Sequence, residues 1–489
     1  MPKPPNILFL IADQMQAQVL DPNHPCRTPN IDRLAARGLR FTRAYTPNAV
    51  CSPARASLMT GLLPHNHGVL WVTHNVADDQ GLLRTDRPHW AQRLAAAGYR
   101  SGYFGKWHVE RSEDPTRFGW QTYRQAGPPK TRPKPPDQMP QEPDPSAFVL
   151  SRTYPPRPGY PSRLHYGVVG EGPMDRPLGK TTRLALDFLE EAARSEQPWC
   201  CMLSVQDPHD PFICSEATFR QYDVSSLEDP PNAQDRFEDK PTLYRRSLEA
   251  IGKLPRTHRQ EAMACYYANV TEVDAMWGLV LEKLATLGLE KDTLVVVTSD
   301  HGELMGAHGL YCKNISAFEE IYNIPLVMAG PGVASGVVTK ARVGLHDLGP
   351  TLLETVGAEP LPDTDARSFA ELLADPAPRE ASYDSGYAEF HGARFLLTQR
   401  VLWKGDWKLV FNGFDDDELY NLAEDPRELR NLARDPAHAA KVAELMEAVW
   451  ERILSTGDAT LANTSYAPLR IAPVGPLKAK RAGAAQAAT

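Results

Sequence analysis

Six consecutive apolar residues, Ile7-Leu8-Phe9-Leu10-Ile11-Ala12, stop abruptly at Asp13. A run with no polar residue in alternation belongs to a strand covered on both faces, and such strands sit inside parallel sheets flanked by helices. Runs of the same kind fall at 99–104, 199–205, 294–299 and 325–329, with helical stretches at 90–97, 181–193, 259–287 and 347–355 between them. Thr28-Pro29-Asn30-Ile31-Asp32-Arg33-Leu34-Ala35-Ala36-Arg37-Gly38 spells another helix, with a cap residue, a first-turn proline and a closing glycine. The alternation predicts an α/β fold, a large doubly wound, mostly parallel sheet whose ligands bind off the carboxyl ends of its strands. Asp13, Lys106, Asp207 with His209, and Asp300 with His301 each follow directly on a predicted strand, so one sheet edge can gather them.

At 489 residues the chain exceeds one typical core. We read 1–360 as one catalytic unit, 361–455 as a smaller antiparallel sheet plus helix, and 456–489 as an extended tail. In the second unit 394–401, 407–411 and 418–422 read as strands and 436–454 as a helix. The stretch 127–159 carries Pro128-Pro129, Pro135-Pro136 and Pro155-Pro156, and because proline cannot donate to a sheet it is an excursion from the core. A surface loop and a substrate rim or subunit contact both fit it.

A net charge of −8, from 53 basic and 61 acidic residues, excludes the electrostatic footprint of a nucleic-acid binder. No run approaches the ~18 apolar residues of a membrane span, and the run ending at Ala12 is too short for a signal-peptide core. The chain reads as cytoplasmic, or as a mature form whose leader was removed. Its seven cysteines, Cys26, Cys51, Cys200, Cys201, Cys214, Cys265 and Cys312, are odd in number and irregular in spacing, so no disulfide framework is implied.

One of these cysteines opens the run Cys51-Ser52-Pro53-Ala54-Arg55-Ala56-Ser57-Leu58-Met59-Thr60-Gly61. A cysteine phosphatase loop would need a longer span between cysteine and arginine than the three residues found here. The run resembles the signature of the sulfatase family, within the alkaline phosphatase-like superfamily. That resemblance implies that a formylglycine-generating enzyme reads Cys-x-Pro-x-Arg and oxidises Cys51 to formylglycine (3-oxoalanine), whose hydrate supplies the nucleophile. Arg55 is the cation that sulfate chemistry needs, Ser57 and Thr60 complete the pattern, and Gly61 can end a short helix starting near Pro53.

The same resemblance implies the remaining members of the site. Asp13, Gln14, Asp300, His301 and an oxygen from modified Cys51 form the implied shell of one divalent metal, calcium first, with manganese or magnesium as alternatives. Gln14 stands where many sulfatases carry a second aspartate, and His301 where some carry asparagine. Gly105-Lys106-Trp107-His108 resembles the family's Gly-Lys-x-His element, placing Lys106 on a sulfate oxygen and His108 against the formylglycine hydrate. Gln206-Asp207-Pro208-His209-Asp210-Pro211-Phe212 resembles the segment whose histidine faces the leaving oxygen, making His209 the general acid. Lys313, at the end of the Ser299 to Lys313 run, would bind the sulfate, while His308 packs its loop and Asp347 caps the next helix. The stretch from Glu418-Leu419-Tyr420-Asn421-Leu422 to Asn431 resembles part of the family's C-terminal subdomain.

The implied reaction is hydrolysis of a small-molecule sulfate ester. Family members with one first-strand aspartate and a histidine in the second metal pair include phosphonate monoester and phosphodiester hydrolases, so that chemistry is the alternative. A non-catalytic binding protein would not need the whole set. Trp71, His74, Asn75 and His391 could shape the pocket, though a structural role fits each of them better, and a homo-oligomer stays open.

Overall fold

The computed structural model describes residues 3–77, 81–84, 86–112, 114–126, 144–155, 162–313, 315–393, 396–413, 415–462 and 474–475. Pro128-Pro129, Pro135-Pro136 and most of the 456–489 tail lie outside the described residues. An eight-stranded sheet runs in the order Val337–Gly344, Leu39–Tyr45, Asn323–Ala329, Thr293–Ser299, Asn6–Ala12, Trp199–Ser204, Arg100–Gly105, Thr122–Arg124. Asn323–Ala329 is antiparallel to both neighbours and the other pairings are parallel, so the predicted α/β architecture is the one observed.

Strand alternation explains why two apolar layers are needed. Leu8, Leu10 and Ala12 enter one core with Cys201, Leu203, Val295 and Val297, against the helices Pro177–Ala192 and Arg256–Thr286. Ile7, Phe9 and Ile11 enter the other with Cys200, Met202, Leu294 and Val296, against Cys51–Thr60, Trp90–Ala96 and Leu348–Val356. Every side chain of Asn6–Ala12 is buried, as the unbroken apolar run requires.

Three details correct the sequence reading. Thr28 does not cap the helix Pro29–Ala35 with its side chain. The amides of Asn30 and Ile31 instead donate to Asp274 on the long helix Arg256–Thr286, at 3.0 and 2.8 Å, so a distant carboxylate satisfies the orphan donors. Asp347 likewise makes no side-chain cap on Leu348–Val356. Its carboxylate accepts from the amides of Gly344 (2.7 Å) and Arg367 (2.8 Å), tying a strand end to a later loop. The helix that carries Cys51 begins at Cys51 itself rather than near Pro53 and is closed by Gly61, whose φ of 69° is the left-handed cap expected of glycine.

The C-terminal part is a four-stranded antiparallel sheet, Ser385–Phe390, Gln399–Lys404, Trp407–Asn412 and Glu418–Asn421, with the helix Ala439–Ser455. One face (Leu402, Leu409, Phe411, Leu419) packs on Leu445, Val449, Trp450 and Ile453 of that helix. The other face (Ala388, Phe390, Val401, Trp403, Val410) packs on Tyr45, Val50, Phe318 and Ile321, which brings the second sheet against the segment leading into Cys51. Among the described residues no helix is long and apolar enough to cross a membrane.

Candidate active site

Strand register sets the site. Ala12 pairs with Ser299, Ile11 with Ser204, and Ser204 with Gly105, so the residues that follow four adjacent strands emerge at one level. Gly105 has φ 103° and a Cβ there would lie 2.0 Å from the Ser204 carbonyl oxygen, so only glycine lets the chain turn out of the sheet at Lys106.

Cys51 Sγ is the centre of the cluster. It lies 3.2 Å from His301 Nε2, 3.4 Å from Lys313 Nζ and 3.6 Å from Asp13 Oδ1. Lys106 donates to the other oxygen of Asp13. Arg55, one helical turn after Cys51, donates through Nε to Asp300 at 2.7 Å and through Nη1 to Ser204 Oγ at 2.7 Å and the Lys106 carbonyl at 3.0 Å. Its buried Nη2 has no hydrogen-bond partner among the described residues.

Asp13, Cys51, Asp300 and His301 bring one ligand-type atom each within 4.8 Å of one another, all buried. Two carboxylates and an imidazole suit a divalent cation. His301 Nδ1 is 2.9 Å from the Gly302 carbonyl oxygen, which fixes the tautomer and leaves the Nε2 lone pair facing the cluster. The donor set therefore fits a metal. Gln14 stands beside it: its amide nitrogen donates to Asp210 (3.1 Å) and to Glu303, and its Oε1 accepts from Lys313 at 3.0 Å. Two carboxylates on the nitrogen leave no ambiguity about which end is oxygen.

The field at position 51 is cationic. Burial alone would raise the Cys51 thiol, but Lys106, Lys313 and His301 outweigh it and hold the group well below its ordinary value. Burial also opposes ionisation of Asp13, as does Cys51, yet Lys106 keeps that carboxylate low. Asp300 is raised by burial and by Asp13 beside it, against Arg55. Burial lifts Glu303 to about 7.

His209 donates from Nδ1 to the Asp210 carbonyl oxygen (2.7 Å), and its Nε2 accepts from Lys313 at 2.8 Å. His108 Nε2 is 2.8 Å from His74 Nδ1. Gln14, His108 and Cys312 all have positive φ (72°, 55° and 61°), a backbone state that costs non-glycine residues roughly 1–3 kcal/mol and gathers at functional sites. The structure thus brings together Cys51, Asp13, Gln14, Arg55, Lys313, His209, Asp300 and His301, with Lys106 on Asp13 and His108 beside His74. His308 packs instead on Phe318 and bonds Asp235 at 2.7 Å.

Sequence reading missed Asp210 and Glu303. Asp210 holds Gln14 and Arg163 and lies 3.4 Å from His209 Nδ1; Glu303 accepts from Gln14 and from the amides of Met305 (2.9 Å) and Cys312 (2.6 Å). A signal was available in Gln14 itself, since a buried amide nitrogen requires acceptors.

The C-terminal sheet grips both ends of the helix that carries Cys51. The Glu389 amide donates to the Pro47 carbonyl (2.8 Å), and Asn48 bridges the Glu389 carbonyl (2.7 Å) and the Val50 amide (2.9 Å). Past the helix, His65 Nδ1 lies 2.6 Å from Glu389 Oε1 and Nε2 lies 3.1 Å from the Thr456 carbonyl. Arg400 pairs with Asp458 at 2.6 Å. Burial works against a proton on His65, but Glu389 prevails and raises it from 6.5 to about 9. The folded state therefore holds that proton more tightly than the unfolded chain, and the stabilisation is complete below about pH 6.5 and lost as pH climbs to about 9. The urea midpoint is expected to fall across that window, and to fall less in His65→Gln; an equal fall in both chains would exclude His65 as the source.

The chain is similar in sequence and fold to known proteins. The family model described as Sulfatase covers residues 5–358, and the one described as N-sulphoglucosamine sulphohydrolase, C-terminal, covers 306–454. The chain is 31% identical to the uncharacterized sulfatase YidJ of Escherichia coli strain K12, over 87% of this chain and 82% of that protein. It is 28% identical to the choline-sulfatase of Rhizobium meliloti strain 1021, over 86% of this chain and 81% of that one. The solved phosphonate monoester hydrolase from Silicibacter pomeroyi superposes with a TM-score of 0.76 at 24% identity, over 94% of this chain and 96% of that one, a likeness of fold.

Proposed function

The chain belongs to the sulfatase family of sulfuric ester hydrolases, and from that premise we propose that it hydrolyses a small-molecule sulfate ester through formylglycine made from Cys51 by a formylglycine-generating enzyme. The observation that carries this reading is the convergence on Cys51 Sγ of Asp13, His301 and Lys313 within 3.6 Å, with Arg55 one turn away in the same helix. Such a nucleophile is buried among cations, where an anionic ester and its developing charge are both stabilised.

Asp13, Asp300, His301 and the position-51 oxygen would hold one divalent metal, with Gln14 Oε1 as a further donor. When bound, that cation supplies Lewis acidity to the ester and nucleophile oxygens. Calcium is the first choice, and the His301 nitrogen keeps manganese and magnesium in view. Arg55 neutralises Asp300 and offers Nη2 to the site. Lys106 and Lys313 hold the ester's non-bridging oxygens. Once Lys313 turns to the substrate, His209 Nε2 carries the proton for the departing alcohol, its ring kept in register by the Nδ1 bond to Asp210. His108 takes the proton from the position-51 side chain.

Exhaustive treatment with a chelator is expected to lower aryl sulfate turnover by on the order of 10² to 10³-fold, the several kcal/mol of metal-borne charge stabilisation. Restoration by one of the three cations then identifies the metal; rates unchanged after removal would count against the shell. The pairing of Asp13 with Gln14 and of Asp300 with His301 supports a second reading, a phosphonate monoester or phosphodiester hydrolase. Measuring kcat/KM on 4-nitrophenyl sulfate and 4-nitrophenyl phenylphosphonate decides between them: the sulfate is expected to win, and a reversed preference hands the chain to the second reading.

A further inference from the structure

Resting on the reaction proposed above, we infer that Glu303 is a positioning residue for Lys313, the cation assigned to the ester's non-bridging oxygens, and that it acts through the side-chain amide of Gln14. Glu303 is fully buried, and the reaction as described gives it no part.

A glutamine amide has a donor end and an acceptor end, and its surroundings choose which way it points. Gln14 Nε2 donates to Asp210 Oδ1 at 3.1 Å and to Glu303 Oε2, while Gln14 Oε1 accepts from Lys313 Nζ at 3.0 Å. Turned over, the amide would set its N–H groups against an ammonium that has no lone pair to offer. Each carboxylate would then face an oxygen. The main chain of Gln14 is also fixed: φ is 72°, its amide donates to Asp300 Oδ1 at 3.1 Å, and its carbonyl accepts from the Tyr266 hydroxyl at 2.8 Å. The side-chain amide is therefore held from both directions, by two acceptors on one end and a cation on the other.

What sets Glu303 apart from Asp210 is the work of its other oxygen. Oε1 accepts from the amides of Met305 (2.9 Å) and Cys312 (2.6 Å), and the Leu304 amide donates to the Cys312 carbonyl at 3.1 Å, so the loop leading to Lys313 is closed on itself. Cys312, with φ 61°, directly precedes Lys313. One carboxylate thus fixes both ends of the lysine, the main chain it starts from through Oε1 and the acceptor its ammonium rests on through Oε2. An ammonium has three protons, and those of Lys313 meet Gln14 Oε1 at 3.0 Å, His209 Nε2 at 2.8 Å and Cys51 Sγ at 3.4 Å. In the proposed reaction the ester takes the place of the last two contacts. Gln14 is the one that stays, and it sets where the charge is held.

The test measures affinity for inorganic sulfate by calorimetry, with calcium in excess and manganese and magnesium run in parallel, beside kcat and KM on 4-nitrophenyl sulfate. Glu303→Gln keeps the shape of the side chain and an acceptor for the loop amides, but it sets a second NH2 group against Gln14 Nε2, which displaces or inverts the amide on which Lys313 rests. It is expected to weaken sulfate binding by about 10-fold and to lower kcat/KM by about 10 to 100-fold, the range for a group misplaced by ~1 Å. Lys313→Met is expected to cost at least as much. Added to Lys313→Met, Glu303→Gln should change sulfate affinity by less than about twofold, because its effect passes through the lysine; a merely structural role would weaken both backgrounds alike. Parental sulfate affinity and kcat/KM in Glu303→Gln, or an equal loss without the lysine, overturns the inference. If Glu303→Gln does not fold, Glu303→Asp, whose shorter arm draws the carboxylate back from Gln14, serves in its place. A parent chain that binds sulfate with this dependence on Glu303 yet turns over no sulfate ester, or whose Cys51→Ala variant is as active as the parent, overturns the underlying reading instead, a separate result.

Discussion

Replacing Cys51 with alanine is expected to reduce turnover of an aryl sulfate by at least about 10⁴-fold, the scale at which loss of a covalent nucleophile is felt, while the folded chain survives. The survival follows from what the thiol touches. Its Sγ faces Asp13, His301 and Lys313, and the helix around it is secured elsewhere, by Asn48 at the Val50 amide and by the apolar contacts of Ala54, Leu58 and Met59. Alanine leaves those in place. Cys51→Ser is expected to be inactive as well, because a single hydroxyl lacks the geminal partner that lets a sulfated intermediate collapse by breaking its own carbon–oxygen bond. Mass spectrometry of the peptide carrying position 51 in the parent should show the sulfur replaced by an aldehyde oxygen. Near-parental rates in Cys51→Ala would remove the proposed nucleophile outright.

Glu389→Ala is expected to be the most destabilising substitution, by about 3–5 kcal/mol, the usual result of stripping one partner from a buried charge network. Glu389 is fully buried, accepts from the His65 amide (3.2 Å) as well as its ring, lies 3.1 Å from His391 Nε2, and stands 4.0 Å from Arg400. Its removal leaves buried Arg400 with Asp458 as its remaining carboxylate and strips His65 of the group that holds its proton. Urea unfolding followed by fluorescence checks this. A loss below about 0.5 kcal/mol, the range of an ordinary surface change, would show that the network is redundant. His391, for which the sequence favours a structural role over one in the pocket, belongs to this network through Glu389, and its carbonyl receives the Trp71 indole at 2.8 Å.

The parts of the site that stood out in the sequence are those where a polar residue breaks an apolar run. Asp13, Lys106 and Asp300 end strands that are buried throughout or nearly so, and the contrast is visible without coordinates. Leu39–Tyr45 and Val337–Gly344 escaped notice because their burial alternates irregularly, which leaves no clean period to read. Asp210 and Glu303 escaped for a different reason. A buried carboxylate acquires its role from partners such as Gln14 and Arg163, 196 and 47 positions away from Asp210, and no local pattern encodes such a pairing. Thr28 and Asp347 show the converse error, in which a residue suited to capping is present and the fold uses a different group for the cap.

The bond between Asn48 and Glu389 joins positions 341 residues apart, and it has a meaning in time as well as in space. Cys51 is 2% exposed once the chain is folded. During synthesis at about 5–20 residues per second, the segment that closes the clamp emerges roughly 20–70 s after the cysteine does. Throughout that interval the helix that carries Cys51 lacks its C-terminal anchor, and under the maturation proposed above this is when the formylglycine-generating enzyme would reach the thiol. Fast translation or early collapse would shorten it, and under the same proposal the fraction of chains carrying the aldehyde would be a kinetic outcome of the order in which the polypeptide appears.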